Sequence, residues 1–203
     1  MKDTLLIVFV KNIILGKVKT RLAKTIGTQG AFEVYKHIVE ITELETSKMK
    51  SDTRIYFSDV VIEEKWSDSE KFVQKGKDLG ERMKNAFIDG FSDGYKRIIL
   101  IGSDLPDITS EIINEGLDQL KNKEVVFGPA EDGGYYLIGL TNVVHSIFED
   151  KPWSTSSLLK LTLEELEKQN RSYHLLQKMN DIDTIEDLKK STIYKEFINI
   201  VGE

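Results

Sequence analysis

Four short stretches of the 203-residue chain carry the side chains able to do chemistry. The first is Gly16-Lys-Val-Lys-Thr-Arg-Leu22, where Lys11, Lys17, Lys19, Arg21 and Lys24 crowd together just after an apolar run. Backbone amides near a glycine, ammonium groups and a guanidinium are the groups that hold a polyphosphate. The second, Gly102-Ser-Asp-Leu-Pro106, follows the apolar run Ile98 to Ile101. In an open α/β sheet ligands bind outside the carboxyl ends of the strands, so Asp104 stands where a metal–phosphate ligand belongs. The third, Gly128-Pro-Ala-Glu-Asp-Gly-Gly-Tyr135, places adjacent glycines after two acids and leaves the backbone open to a ligand. The fourth, Asp181-Ile-Asp-Thr-Ile-Glu-Asp187, holds a capping box, Thr184 with Asp187, and two further aspartates that capping does not explain.

Each stretch also has a purely structural reading. Asp104 can cap the next helix, although Thr109 with Glu111 behind it suits that task better. Asp132-Gly133 can be a plain hairpin turn, which leaves Gly128-Pro129 and Gly134 unexplained. The basic stretch can be a solvated loop. It is not a Walker loop, because Val18 follows Gly16-Lys17, and it lacks the glycine spacing of a dinucleotide fingerprint. A chain of net charge −6 that concentrates cations after its first strand favours an anion site there.

The elements that must position these residues follow from the apolar pattern. Leu5 to Val10 and Ile98 to Ile101 are unbroken apolar runs, the mark of strands covered on both faces. Arg54 to Ser58 predicts a third strand beside the first, Val125 to Phe127 and Tyr135 to Leu140 two more, and Tyr173 to Leu176 a late one. Helical spacing predicts a helix over 28–49 on Ala31, Val34, Ile38 and Ile41. Leu79, Met83, Phe87 and Phe91 make one helical stripe after a cap at Asp78. Gln74, Gly76 and Arg82 can border a ligand there. Ile112, Ile113, Leu117 and Leu120 form the inward face of a helix from Glu111. Leu158, Leu159, Leu163 and Leu166 do the same for one opened by Pro152-Trp153-Ser154-Thr155. The polar stretch Glu63 to Glu70, with Trp66 its one large apolar side chain, predicts a surface excursion. The pattern is α/β, one domain over 1–203, with a mostly parallel central sheet and helices on both faces.

Composition narrows the function classes. Hydrophobic content of 40% with 31% charged residues is that of an ordinary globular protein. No apolar run approaches a membrane span, no signal-peptide core is present, and a cytoplasmic location is expected. The absence of cysteine excludes disulfides, thiolate metal sites and cysteine nucleophiles. Net negative charge argues against nucleic-acid binding.

In order and spacing the four motifs resemble those of small bacterial glycosyltransferase-like proteins of the radical-SAM/selenodomain-associated transferase type, within the nucleotide-diphospho-sugar transferases. Guanylyltransferases of small phosphorylated acids are similar at a greater distance. The resemblance spans nearly the whole chain. Ile13 stands where that family usually has proline, and Ile185 where the related Asp-Thr-Pro-Glu-Asp-Leu element has one. The resemblance implies a GT-A-like Rossmann fold and a nucleotide-activated substrate. By position, Gly16, Lys17, Lys19 and Arg21 would hold nucleotide and phosphates, and Asp104 with Asp183 would hold Mg²⁺ or Mn²⁺. Asp104 and Asp132 would be the catalytic carboxylates, Asp132 orienting or deprotonating an acceptor, with Gly133, Gly134 and Tyr135 making room for it. The expected activity is metal-dependent glycosyl transfer from a nucleotide sugar to a small-molecule acceptor. The alternatives are nucleotidyl transfer from a nucleoside triphosphate to a small phosphorylated acid, and a non-catalytic nucleotide-binding module.

Overall fold

The computed structural model describes residues 3–201. Its centre is a seven-stranded sheet in the order β3-β2-β1-β4-β6-β5-β7. The strands are β1 (Thr4–Val10), β2 (Asp52–Phe57), β3 (Glu70–Val73), β4 (Arg97–Ile101), β5 (Val125–Pro129), β6 (Tyr135–Leu140) and β7 (Tyr173–Leu175). β1 pairs in parallel with both β2 and β4. β6 runs antiparallel to both its neighbours, β4 and β5. That reversal matters for function, because it starts β6 at the edge where β1, β4 and β5 end.

The unbroken apolar runs of β1 and β4 are buried because helices cover both faces. One face packs Leu6, Val8, Ile99 and Ile101 against α1 (Thr20–Ser47) and α3 (Ser110–Gln119). The other packs Leu5, Ile7, Ile98 and Leu100 against α2 (Leu79–Ser92) and α4 (Leu158–Lys168). Asp78 and Thr109 cap α2 and α3, accepting from the Glu81 and Ile112 amides. Among the described residues no helix is long and apolar enough to cross a membrane.

Four expectations change. The helix placed at 28–49 begins at Thr20, with a break at Gly27 (φ 77°, ψ 163°). Its first turns carry few apolar residues, but Leu22 is fully buried in one cluster with Ile182 and with Leu188 and Phe197 of the C-terminal helices α5 (Ile185–Lys190) and α6 (Tyr194–Val201). Tertiary packing, not local pattern, makes that segment helical. The excursion over 63–70 runs into β3, an edge strand whose half-exposed pattern conceals it. Trp66 is buried, with its indole N–H donating to Thr46 Oγ1 at 2.8 Å and its ring edge-on to Phe57. Leu79, placed on the inward stripe of α2, is 46% exposed.

Candidate active site

A cleft of about 660 Å³ opens along the carboxyl edge of the sheet. Lys19, Arg21, Asp104, Asp132, Gly134, Tyr135 and Asp183 all line it, as do Lys11 and Asp181. Residues far apart in sequence thus converge, and the reasons are local. β1 and β4 are adjacent and parallel, so the chain leaves both at one edge, carrying Lys11 to Arg21 from one and Ser103-Asp104 from the other. Tyr35 of α1 ties the two exits together. Its hydroxyl donates to the Lys11 carbonyl at 3.1 Å and lies 3.1 Å from the buried Ser103 Oγ. Burial pushes this phenol well above the ordinary tyrosine value. Asn12 anchors the root of the basic segment from the other side, accepting from the Asp59 amide at 2.8 Å and donating to the Val60 carbonyl at 2.8 Å.

Asp181 and Asp183 arrive by a longer route. After β7 the chain continues beside β5, the Met179 amide donating to the Pro129 carbonyl and the Glu131 amide to the Met179 carbonyl, each at 3.0 Å. Ile182, fully buried, then pins 181–183 against α1. The capping box of Thr184 and Asp187 opens α5 as expected, and Asp187 Oδ2 also accepts from the Asp183 amide at 3.2 Å.

Lys19 is the centre of the polar arrangement. It stands just before α1 in the left-handed region (φ 43°, ψ 48°), and its side chain is only 5% exposed. Its Nζ lies 3.5 Å from Asp104 Oδ2 and 3.5 Å from Asp183 Oδ1. Arg21 Nη1 reaches Asp183 Oδ2 at 3.3 Å from the open side. Asp181 sits deeper. Burial, and after it the Asp104 carboxylate, push its pKa up to about 6, against the opposing pull of Lys19.

The donor chemistry fits a hard cation that takes part of its shell from a substrate. Asp104 and Asp183 offer carboxylate oxygens on either side of one ammonium. Among the described residues no three His, Cys, Asp or Glu side chains are grouped closely enough to enclose an ion. Mg²⁺ and Mn²⁺ commonly take one or two carboxylates with phosphate and water, so two suffice once phosphate is present.

Other expected site residues fall outside the cleft lining. Gly16 and Lys17 lie in an exposed turn closed by the Lys17 amide donating to the Ile14 carbonyl at 3.0 Å. Gly133 lines no part of the cleft. At φ +91°, any Cβ would stand 2.1 Å from the Ser156 carbonyl oxygen, so it is a packing glycine. Asp132 is exposed at the rim, where its Oδ1 accepts from the Gly134 amide at 2.8 Å. Gln74 and Arg82 do border the cleft, and so do Trp153, Ser154 and Thr155, which sequence reasoning read only as the start of a helix. The positive φ of Ser154 (62°) marks that segment as a loop. The extra aspartate left over beside the capping box was the available signal for Asp181.

Fold and cleft together define the class, a transferase domain of the GT-A, Rossmann-like type. The protein itself belongs to the bacterial family described as "Uncharacterized protein conserved in bacteria (DUF2064)", whose model matches residues 46–155. A solved structure of a candidate nucleotide-diphospho-sugar transferase from Desulfovibrio desulfuricans G20 is similar throughout. It shares 30% identity over 99% of this chain and 97% of its own, with a TM-score of 0.91. A cytidylyltransferase from Leptospira borgpetersenii shares the fold at 19% identity, covering 99% of this chain and 94% of its own, with a TM-score of 0.57. So does 4-diphosphocytidyl-2C-methyl-D-erythritol synthase from Anaerococcus prevotii, at 12% identity over 96% of each chain, with a TM-score of 0.63. Among curated proteins no sequence matches. These findings correct the resemblance to the radical-SAM/selenodomain-associated type. The matching family is DUF2064, the similar structures are nucleotide-diphospho-sugar and cytidylyl transferases, and the chain has no cysteine for iron–sulfur chemistry.

Proposed function

We propose that this protein is a metal-dependent nucleotidyltransferase, joining a nucleoside monophosphate from a triphosphate to a small phosphorylated or carboxylated acceptor. The observation that carries the reading is the convergence of Lys11, Lys19 and Arg21 with Asp104 and Asp183 on one cleft. A triphosphate brings more negative charge than a diphosphate sugar, and Lys11, Lys19 and Arg21 would offset it together with a cation held by Asp104 and Asp183. The similarity to cytidylyltransferases supports the same choice.

In this reading Lys19 and Arg21 leave their aspartate partners to bind and orient the phosphates, which holds donor and acceptor in line. Asp104 and Asp183 would hold Mg²⁺ or Mn²⁺ with phosphate oxygens, and the cation would supply neutralisation of charge on the departing pyrophosphate. Tyr35 keeps the two phosphate-facing exits at fixed separation. An acceptor phosphate or carboxylate attacks the α-phosphorus, the bond to the bridging oxygen breaks, and pyrophosphate leaves.

Glycosyl transfer from a nucleotide sugar is the second reading. The name of the Desulfovibrio relative favours it, as does the exposed Asp132 at the cleft rim, which could orient or deprotonate an acceptor hydroxyl. A thermal-shift screen of nucleoside triphosphates and nucleotide sugars, with and without Mn²⁺, separates the two by which ligand stabilises the native state. The proposal expects Mn²⁺-dependent stabilisation by a triphosphate that Asp104→Asn abolishes. Stabilisation by nucleotide sugars alone would replace it with the second reading.

A further inference from the structure

The cleft carries a cation that the phosphate site does not use. α1 and α2 cover opposite faces of the sheet, so their first turns flank the strand ends from opposite sides. Lys19, just before α1, stands on one side with Asp104 and Asp183. Arg82, in the first turn of α2, lines the other side together with Trp153. That ring rests on the bare start of α2, where a Cβ on Gly80 would come within 2.4 Å of it.

Arg82 differs from every other arginine of the chain. Arg21, Arg54, Arg97 and Arg171 each pair with a carboxylate. Arg82 is half-buried, and among the described residues no carboxylate pairs with it. The acids beside it in sequence are engaged elsewhere. Asp78 Oδ1 accepts from the Glu81 amide at 2.9 Å, and Glu81 Oε2 from the Lys77 amide at 2.8 Å. What holds the guanidinium is backbone, its Nε donating to the Gly76 carbonyl at 3.2 Å. Gly76 has φ +149°, and a Cβ there would lie 2.7 Å from the Arg82 amide nitrogen, so a bare backbone is what lets that carbonyl approach. The contact fixes one edge of the guanidinium and leaves both Nη groups, a planar pair of donors that matches a carboxylate or a phosphate. A cation drawn partly out of water with no internal partner is poised for an anion that arrives from outside.

We propose that Arg82 binds a second acidic group of the acceptor, a carboxylate or phosphate set apart from the group that attacks. The nucleoside cannot supply this anion, since base and ribose carry no negative charge. The triphosphate is drawn to the other side, where Asp104 and Asp183 can share its cation. The acceptor then lies along the Trp153 ring, its attacking oxygen toward Lys19 and its second acid on Arg82. An acceptor with a single acidic group leaves the guanidinium unmatched and is a poor substrate. This deepens the nucleotidyl reading and rests on it for the word acceptor. The anion affinity itself is measured without any transfer reaction.

The test is NMR on the full chain, following the Arg82 Nε–H signal and the Trp153 indole N–H. Tripolyphosphate with Mg²⁺ first saturates the Lys19 side, and inorganic phosphate or acetate is then titrated. At least one of the two should shift both signals saturably, and the one that does names the acid. In Arg82→Gln the Trp153 shift should require roughly tenfold more anion or beyond, as expected for the loss of a charge-assisted hydrogen bond. Arg82→Lys keeps the charge without the fork, should bind with intermediate affinity, and serves if Arg82→Gln misfolds. The inference is overturned if neither anion moves the two signals, or if either variant binds the anion as tightly as the wild type. It is equally overturned if tripolyphosphate itself shifts Arg82 and blocks the second anion, which would assign Arg82 to the triphosphate. Anion binding at Arg82 without pyrophosphate release from any triphosphate would remove the nucleotidyl reading and leave the anion subsite standing.

Discussion

Replacing Lys19 by methionine separates the two tasks assigned to its ammonium. In the free protein Nζ lies 3.5 Å from both Asp104 and Asp183, whose side chains are 49% and 41% exposed. Pairs of that exposure are worth about 1 kcal/mol each at most. Lys19→Met should therefore cost the free protein no more than about 2 kcal/mol, and less if methionine packs well in the 5%-exposed slot. With the competing ammonium gone, Mn²⁺ should bind Asp104 and Asp183 more tightly in the absence of nucleotide, by up to roughly thirtyfold for 2 kcal/mol. The triphosphate should move the other way. Loss of a charge-assisted hydrogen bond of about 1.5–3 kcal/mol predicts roughly 10- to 150-fold weaker binding at saturating Mn²⁺. Calorimetric titrations of Mn²⁺ alone, then of nucleotide with Mn²⁺ present, read both changes. Opposite shifts support the arrangement. Unchanged nucleotide affinity, or Mn²⁺ affinity that falls in Lys19→Met, would refute it.

Asp104→Asn should abolish Mn²⁺-dependent nucleotide binding while leaving the unfolding transition close to that of the wild type, as calorimetry and urea melts will report. Asp181 gives a pH signature. Its native pKa of about 6 exceeds the ordinary 3.8, so the stability it contributes is complete below about pH 4 and is lost as pH rises through 6. Discounted for solvent screening of a partly exposed carboxyl, that displacement amounts to roughly 1–2 kcal/mol. In chelator, Asp181→Asn should be more stable than wild type at pH 8 by up to that amount and nearly equal at pH 4; equal differences at both pH values would refute the assignment. Gly133→Ala should lower the unfolding midpoint markedly, because its Cβ would meet the Ser156 carbonyl at 2.1 Å in a left-handed backbone. A midpoint unchanged within error would mean that this turn relaxes freely.

The sheet was legible because its central strands are continuous apolar runs, and Leu5–Val10 and Ile98–Ile101 admit no other reading at that length. Asp104, Lys19 and Arg21 could be placed at the cleft because residues that follow parallel strands share an edge. Trp66 and the first turns of α1 were not legible, since both owe their burial to partners distant in sequence, Thr46 and Phe57 for one and Ile182 and Leu188 for the other. Gly133 shows a different limit. A glycine required by a passing carbonyl and one required by a ligand look identical in sequence.

Nucleotidyl transfer at the Lys19–Asp104–Asp183 cleft is decided by assaying pyrophosphate and nucleoside diphosphate together. The wild type and Asp104→Asn would be incubated with Mn²⁺, each nucleoside triphosphate in turn, and a panel of aliphatic phosphates and hydroxy acids. The wild type should release pyrophosphate in an acceptor-dependent way that Asp104→Asn loses. Nucleoside diphosphate released from a nucleotide sugar, with no pyrophosphate from any triphosphate, would contradict it.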